Sequence, residues 1–302
     1  MQIKGFAQER FWENIQYEGR HIFFPNVRKF RILGHNNLKE FKLNSIFPRL
    51  QSFELFGSVA DVNCLANVKE LKELTLFTKS IQDFDNIFAN NNNMSKLSLK
   101  FPEKPETMAS IAKYLMKLET LKIDSPRQNF LVQANNNPVY TLPSVIHFDI
   151  SFYRKYEVLN SEKFSFDMPN LKKLTLKGTG QTDCRIIVNF IKRFKTLEIV
   201  ELFVDQCDVV NSVIRLNRIK KFTTTSYENW FEDLEKMFKN FYKGSELQTV
   251  KFLDFDESYQ KYEKRMKKLN VHLKKLDKPT WKLSNGILFE TFQNYLMFSR
   301  EL

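Results

Sequence analysis

The sequence predicts an α/β solenoid, with a curved parallel sheet on the concave side and helices and irregular returns on the convex side. Three observations lead there. Pro169 to Gly178, PNLKKLTLKG, sets Leu171, Leu174 and Leu176 in an L-x-x-L-x-L spacing. That spacing fits a short strand that enters from a tight bend and turns its second and third leucines to one side. The same spacing recurs ten times in 302 residues, in steps of 21 to 28. A strand this short buries too little to stand alone, so the copies must complete a core by stacking on one another.

In order, the copies are Val27-Phe30-Ile32, Leu50-Phe53-Leu55, Leu71-Leu74-Leu76, Met94-Leu97-Leu99, Leu118-Leu121-Ile123, Val145-Phe148-Ile150, Leu171-Leu174-Leu176, Leu197-Val200-Leu202, Ile219-Phe222-Thr224 and Leu247-Val250-Phe252. An eleventh match, Leu38-Phe41-Leu43, lies too close to its neighbours for a full repeat and reads as an extra strand or a return segment. Between strands, Pro105 to Leu118 places Met108, Ile111, Ala112 and Leu115 at helical spacing, and Asp183 to Phe194 does so through Ile187, Phe190, Ile191 and Phe194. A longer return, Ser226 to Lys243, carries a wide aromatic stripe that predicts deep burial. Pro143 and Pro169 mark strand entry, because a proline keeps the residue before it extended.

This pattern resembles the leucine-rich-repeat superfamily over roughly residues 25 to 255. The position after each strand, where many members carry a bonding Asn, here holds His35, Ser58, Lys79, Pro102, Pro126, Tyr153, Thr179 and Asp205. With no Asn ladder, the chain is most similar to the irregular repeats of F-box/leucine-rich-repeat proteins. The resemblance implies substrate recognition in a ubiquitin ligase. A complete F-box needs about twice the two dozen residues that precede the first repeat. A Skp1-like adaptor is therefore expected only if an F-box lies outside this chain.

The expected organisation is an N-terminal cap over 1–24, about ten repeats over 25–255, and a basic helix with a C-terminal cap over 256–302. Within the first segment, Phe6, Phe11, Trp12 and Ile15 suit a short helix covering the end of the array. An apolar content of 42% with only 8 Gly and 9 Pro agrees with one elongated domain free of long flexible tracts. The 30 Phe stand in for core Leu, and Asn90 to Asn93 reads as a solvated loop.

The formal charge of +12 is concentrated: residues 261 to 282 hold nine Lys or Arg against Glu263 and Asp277, a net of +7. Tyr259, Tyr262, Met266 and Leu269 recur at helical spacing and leave Lys261, Lys264, Arg265, Lys267 and Lys268 on a solvated face. With Lys274 and Lys275 they are candidates for anion binding. No nucleic-acid-binding motif accompanies the charge, so nucleic acid is disfavoured as a partner. Leu269, Val271 and Leu273 alternate as a final strand would, and Trp281 to Phe298 supplies apolar area to close the array.

Catalysis finds no constellation. His21, His35, His147 and His272 lie in different repeats, without a metal-binding pair, a phosphate loop or a nucleophile elbow. Cys184 or Cys207 with His147 would need hydrogen-bond reach that distant repeats do not provide. Neither enzyme activity nor a cofactor or metal is expected. Cys64, Cys184 and Cys207 form no disulfide framework or zinc spacing, and no secretory signal or membrane span is evident. An intracellular location, cytoplasmic or nuclear, is the expectation.

What remains is binding to a protein partner. If the second and third repeat leucines point inward, the alternate residues face the open side of the sheet. The candidate contacts on this concave face are Phe56, Phe77, Lys100, Lys122, His147, Lys177, Ile199, Glu201 and Phe203. Phe56 and Phe77 share a column on adjacent repeats and are expected to stack; Ile199 and Phe203 form a second patch. A scaffold or immune-type recognition protein without an F-box is the alternative reading, and anion binding by the basic segment is a third.

Overall fold

The computed structural model describes residues 2–4, 23–33, 42–56, 63–77, 84–102, 106–126, 140–152, 166–178, 184–203, 209, 212–213, 215–216, 218–225, 246–253, 273–277, 280–283, 287–292 and 295–300. It is a mixed α/β protein with few helices, and the chain divides into two compact units, Met1–Asn170 and Leu171–Leu302. The boundary falls within the segment expected to be one array of repeats.

In the first unit the strands are β1 (Gln2–Lys4), β2 (Lys29–Leu33), β3 (Ser52–Phe56), β4 (Glu73–Phe77), β5 (Lys96–Lys100), β6 (Thr120–Asp124), β7 (Tyr140–Thr141), β8 (His147–Ser151) and β9 (Phe166–Asp167). Strands β1 to β6 and then β8 pair in parallel, and β7 pairs with β9 alone. The register joins like positions of the repeat: Phe30 to Phe53, Phe53 to Leu74, Leu74 to Leu97, Leu97 to Leu121, Leu121 to Phe148. The apolar spacing enforces this, since a slip of one residue would turn every inward side chain outward. Strand β1 was not anticipated; its Ile3 pairs with Ile32.

The second unit has β10 (Lys173–Lys177), β11 (Ile199–Phe203), β12 (Lys221–Thr225) and β13 (Thr249–Leu253), again parallel and in the same register. Four further strands, β14 (Leu273–Asp277), β15 (Thr280–Leu283), β16 (Ile287–Phe292) and β17 (Tyr295–Arg300), are antiparallel. Strand β17 runs along β13 with Val250 opposite Phe298. The C-terminal segment thus pairs with the free edge of the last repeat strand, satisfying backbone groups that would otherwise template another chain.

All ten aligned segments form strands. Their described second and third apolar positions, from Phe30 and Ile32 to Phe222, Thr224 and Val250, are at most 1% exposed. Intervening residues such as Glu54, Thr75, Ser98 and Lys122 are half-buried. Full burial of a Leu or Phe contributes about 1.5 to 3 kcal/mol, so one strand's two or three apolar residues are worth only a few. Summation over repeats makes the core.

Two backbone devices space the repeats. Just before most of the repeat strands one carbonyl accepts two amides from the next repeat, as Arg28 does from Gln51 and Ser52, and Lys72 from Ser95 and Lys96, at 2.9 to 3.0 Å for the latter pair. In the second unit Lys172 accepts from Glu198 and Ile199, both at 2.9 Å. The other device is a turn three residues upstream of the first repeat leucine. The amides of Val27, Leu50 and Val145 donate to Phe24, Phe47 and Leu142 at 3.3, 3.1 and 3.4 Å. Pro25, Pro48 and Pro143 hold the second position of those turns, where their fixed φ is already suitable. Proline here acts inside the turn as well as marking strand entry.

The predicted helices are present as Glu106–Tyr114 and Cys184–Arg193. Met108, Ile111, Ile187, Phe190 and Ile191 are fully buried. Shorter helices cover Leu43–Ile46 and Asp85–Asn90, and a 3-10 turn covers Asn63–Asn67. Leu43 of the eleventh match therefore belongs to a return. Asn91 departs from the solvated-loop expectation: it is 2% exposed, accepts from the Leu71 amide at 3.0 Å and donates to the Ile87 carbonyl at 2.9 Å. The N-terminal helix expected over 5 to 24, the return 226–243 and the basic helix lie outside the described residues, apart from Phe23 and Phe24. No described helix is long and apolar enough to cross a membrane.

Candidate functional site

The half-buried side of each sheet carries the candidate contacts, and its side chains are organised by repeat register. In the first unit, opposite charges occupy matched positions on neighbouring strands. Arg31 lies beside Glu54, Glu73 beside Lys96, Lys100 beside Asp124 and Lys122 beside Asp149. Each couple forms an ion pair: Arg31 contacts Glu54, while the Lys96–Glu73, Lys122–Asp149 and Lys100–Asp124 distances are 2.7, 3.3 and 3.5 Å. Lys29 reaches Glu54 as well, at 2.6 Å. Directly opposed unlike charges stabilise adjacent strands in the way that like charges would splay them.

Burial alone would push the Glu54 carboxyl up, but hydrogen bonds from Lys29 and Arg31 together outweigh it and hold the group below its ordinary range. At Glu73 the hydrogen bond from Lys96 is the main cause of a lowered pKa, and the same bond raises that of Lys96. These carboxylates stay charged, and the cations facing them are engaged within the sheet.

The aromatic residues are placed differently from expectation. The ring of Phe77 meets Phe101, with centroids 4.9 Å apart. Phe56 instead lies under two cations, Arg31 at 5.5 Å and Lys100 at 5.2 Å from its centroid. Strand β3 pairs with β4 from Ser52 to Glu54, short of the two phenylalanines. His147 is exposed on β8.

At the strand exits the backbone turns left-handed: φ is 55° at Phe101 and 49° at Ser125, and 66° at Gly178 in the second unit. The three residues occupy the same place in their repeats. Phe101 donates its amide to the Asp124 carbonyl at 2.7 Å, and Ser125 to the Ser151 carbonyl at 2.7 Å. Asp124, Ser125 and Ser151 are 5%, 1% and 2% exposed, so the last column is closed rather than open at these strands.

In the second unit Lys173 pairs with Glu201 at 2.6 Å, and the Thr175 hydroxyl donates to the same carboxylate at 2.8 Å. Lys177 lies 5.4 Å over the Phe203 ring, and Ile199 and Phe203 remain half-buried. Among the basic candidates, Lys274 and Lys275 fall on β14, with Lys274 opposite Lys282. Lys261, Lys264, Arg265, Lys267 and Lys268 lie outside the described residues.

The face can offer aromatic surface and charge-assisted hydrogen bonds held on rigid strands. Among the described residues no cluster of three or more metal-ligating side chains occurs. Arg31, Glu54, Asp124 and Asp149 fall in the same outward-facing columns of the aligned copies as the candidate contacts, and their opposite charges at one repeat position are a signal that the alignment makes readable. No protein-family model matches the sequence, and a search of curated proteins finds no match.

Proposed function

We propose that the chain is a leucine-rich-repeat solenoid serving as a non-catalytic protein-interaction module, with its partner on the half-buried face of the strands. The observation that carries this reading is that the described second and third repeat positions are sealed while the residue between them is half-buried in every repeat strand except at Thr175. One side is sealed by the described second and third repeat residues, and the other keeps Phe56, Phe77, Ile199 and Phe203 partly accessible among paired charges. Aromatic anchors within a polar surround suit a protein partner. Because Lys100, Lys122 and Lys173 already face carboxylates, an anionic ligand is less well suited to this face.

The resemblance to F-box/leucine-rich-repeat proteins makes substrate recognition for a ubiquitin ligase the cellular use we favour, a Skp1-like adaptor being engaged only if an F-box lies outside this chain. A scaffold or recognition protein without an F-box uses the same face. The wide sequence spacing of Cys64, Cys184 and Cys207, unlike that of a disulfide framework, supports an intracellular setting.

Proximity labelling with the wild-type chain, and with Phe77→Ala and Phe203→Ala variants, tests the reading. Partners lost in a face variant but kept in Lys113→Ala, on the helix Glu106–Tyr114, support it. A partner set indifferent to both Phe substitutions rules it out, and recovery of a Skp1-like adaptor separates the ligase use from the scaffold.

A further inference from the structure

We infer that the exit of strands β5 and β6 is a receptor for an arginine side chain, so that the partner is a protein segment presenting a guanidinium to Asp124. The inference rests on the interaction reading above and names the chemistry of that partner. Its starting point is an incomplete ion pair. Lys100 Nζ stands 3.5 Å from Asp124 Oδ2, a longer separation than those of Lys29 and Lys96 from their partners, 2.6 and 2.7 Å. Asp124 Oδ1 is buried and has no hydrogen-bond partner, and neither has the buried hydroxyl of the adjoining Ser125.

An ammonium is a point charge. From this position it serves one carboxylate oxygen and leaves the other stranded in a site where an unsatisfied acceptor is costly. A planar guanidinium presents two parallel N–H donors and can span both oxygens, with further donors for a neighbouring hydroxyl. The place already accepts a cation against an aromatic ring, because the same Lys100 ammonium lies 5.2 Å from the Phe56 centroid. Lys100 thus occupies the receptor in the free protein. Its own side chain is long enough to swing out and exposed enough to be solvated when a better-fitting cation arrives.

Titrating N-acetyl-arginine amide into the full chain, with backbone amide NMR shifts as readout, tests this without knowledge of the partner. Saturable shifts at Phe101, Ser125 and Ser151 are expected in the millimolar range. Lys100→Met should strengthen binding about tenfold by removing the competing cation, and Asp124→Asn should weaken it about tenfold or more. Lys100→Arg fills the receptor from within and should block the titration. Absence of saturable shifts in the wild-type protein, an equal response to N-acetyl-citrulline amide, or binding undiminished in Asp124→Asn overturns the inference. If the arginine titration fails while partner capture still depends on Phe77 or Phe203, only the chemistry assigned to the partner falls. If capture is indifferent to both, the interaction reading falls.

Discussion

Single side chains carry the departures from regularity. Asn91 sits in the core and satisfies one amide and one carbonyl of the adjoining backbone, where an alanine would leave both stranded. Asn91→Ala should therefore cost about 1 to 3 kcal/mol, read as a lowered urea midpoint. Ser125 combines a left-handed φ of 49° with a buried hydroxyl that has no partner. Ser125→Gly removes both burdens and should raise stability by about 1 kcal/mol. A drop in the urea midpoint would mean that the hydroxyl is bonded in solution. Neither residue stands out in the sequence, because Asn in an Asn-rich run and Ser before Pro are ordinary loop composition.

At the scale of the element, the strand is the decisive unit, and its two sides should respond differently to truncation. Leu174 is fully buried, so Leu174→Ala should cost about 2 to 5 kcal/mol. Phe77 is half-buried on the opposite side of its strand, and Phe77→Ala should cost less while weakening partner capture. Equal losses in chemical denaturation would reverse the face assignment. The helix Glu106–Tyr114 was legible from Met108, Ile111 and Leu115 at helical spacing. Its attachment was not: Ser110 and Tyr114 both donate to Asp85 of the preceding return, Tyr114 at 3.3 Å.

For the whole molecule, the charge ladder predicts an acid dependence. The folded pKa values of Glu54 and Glu73 lie below the ordinary value of 4.5. Their contribution is complete above that value and is lost as pH falls through the folded pKa values, because the unfolded chain then takes up protons first. Thermal melts should show a midpoint falling below about pH 4.5, and a Glu54→Gln/Glu73→Gln double variant should show a shallower decline. The ladder joins residues 23 to 27 positions apart, one repeat length, so it appears only when successive copies are in register.

The apolar spacing by itself determined where the ten strands lie, which residues they bury and how neighbours align. A period of two on a sheet with one sealed side leaves a single acceptable register. It also located both longer helices, because their apolar residues keep a period of 3.6. Only the tertiary structure decided that Phe77 meets Phe101, that Phe56 lies under Lys100, that Asn91 is buried and that the C-terminal strands pair antiparallel with one another, β17 lying antiparallel along the last repeat strand. Those outcomes depend on where each strand exit directs its side chains and on contacts between distant segments. Repeated local spacing carries no information about either.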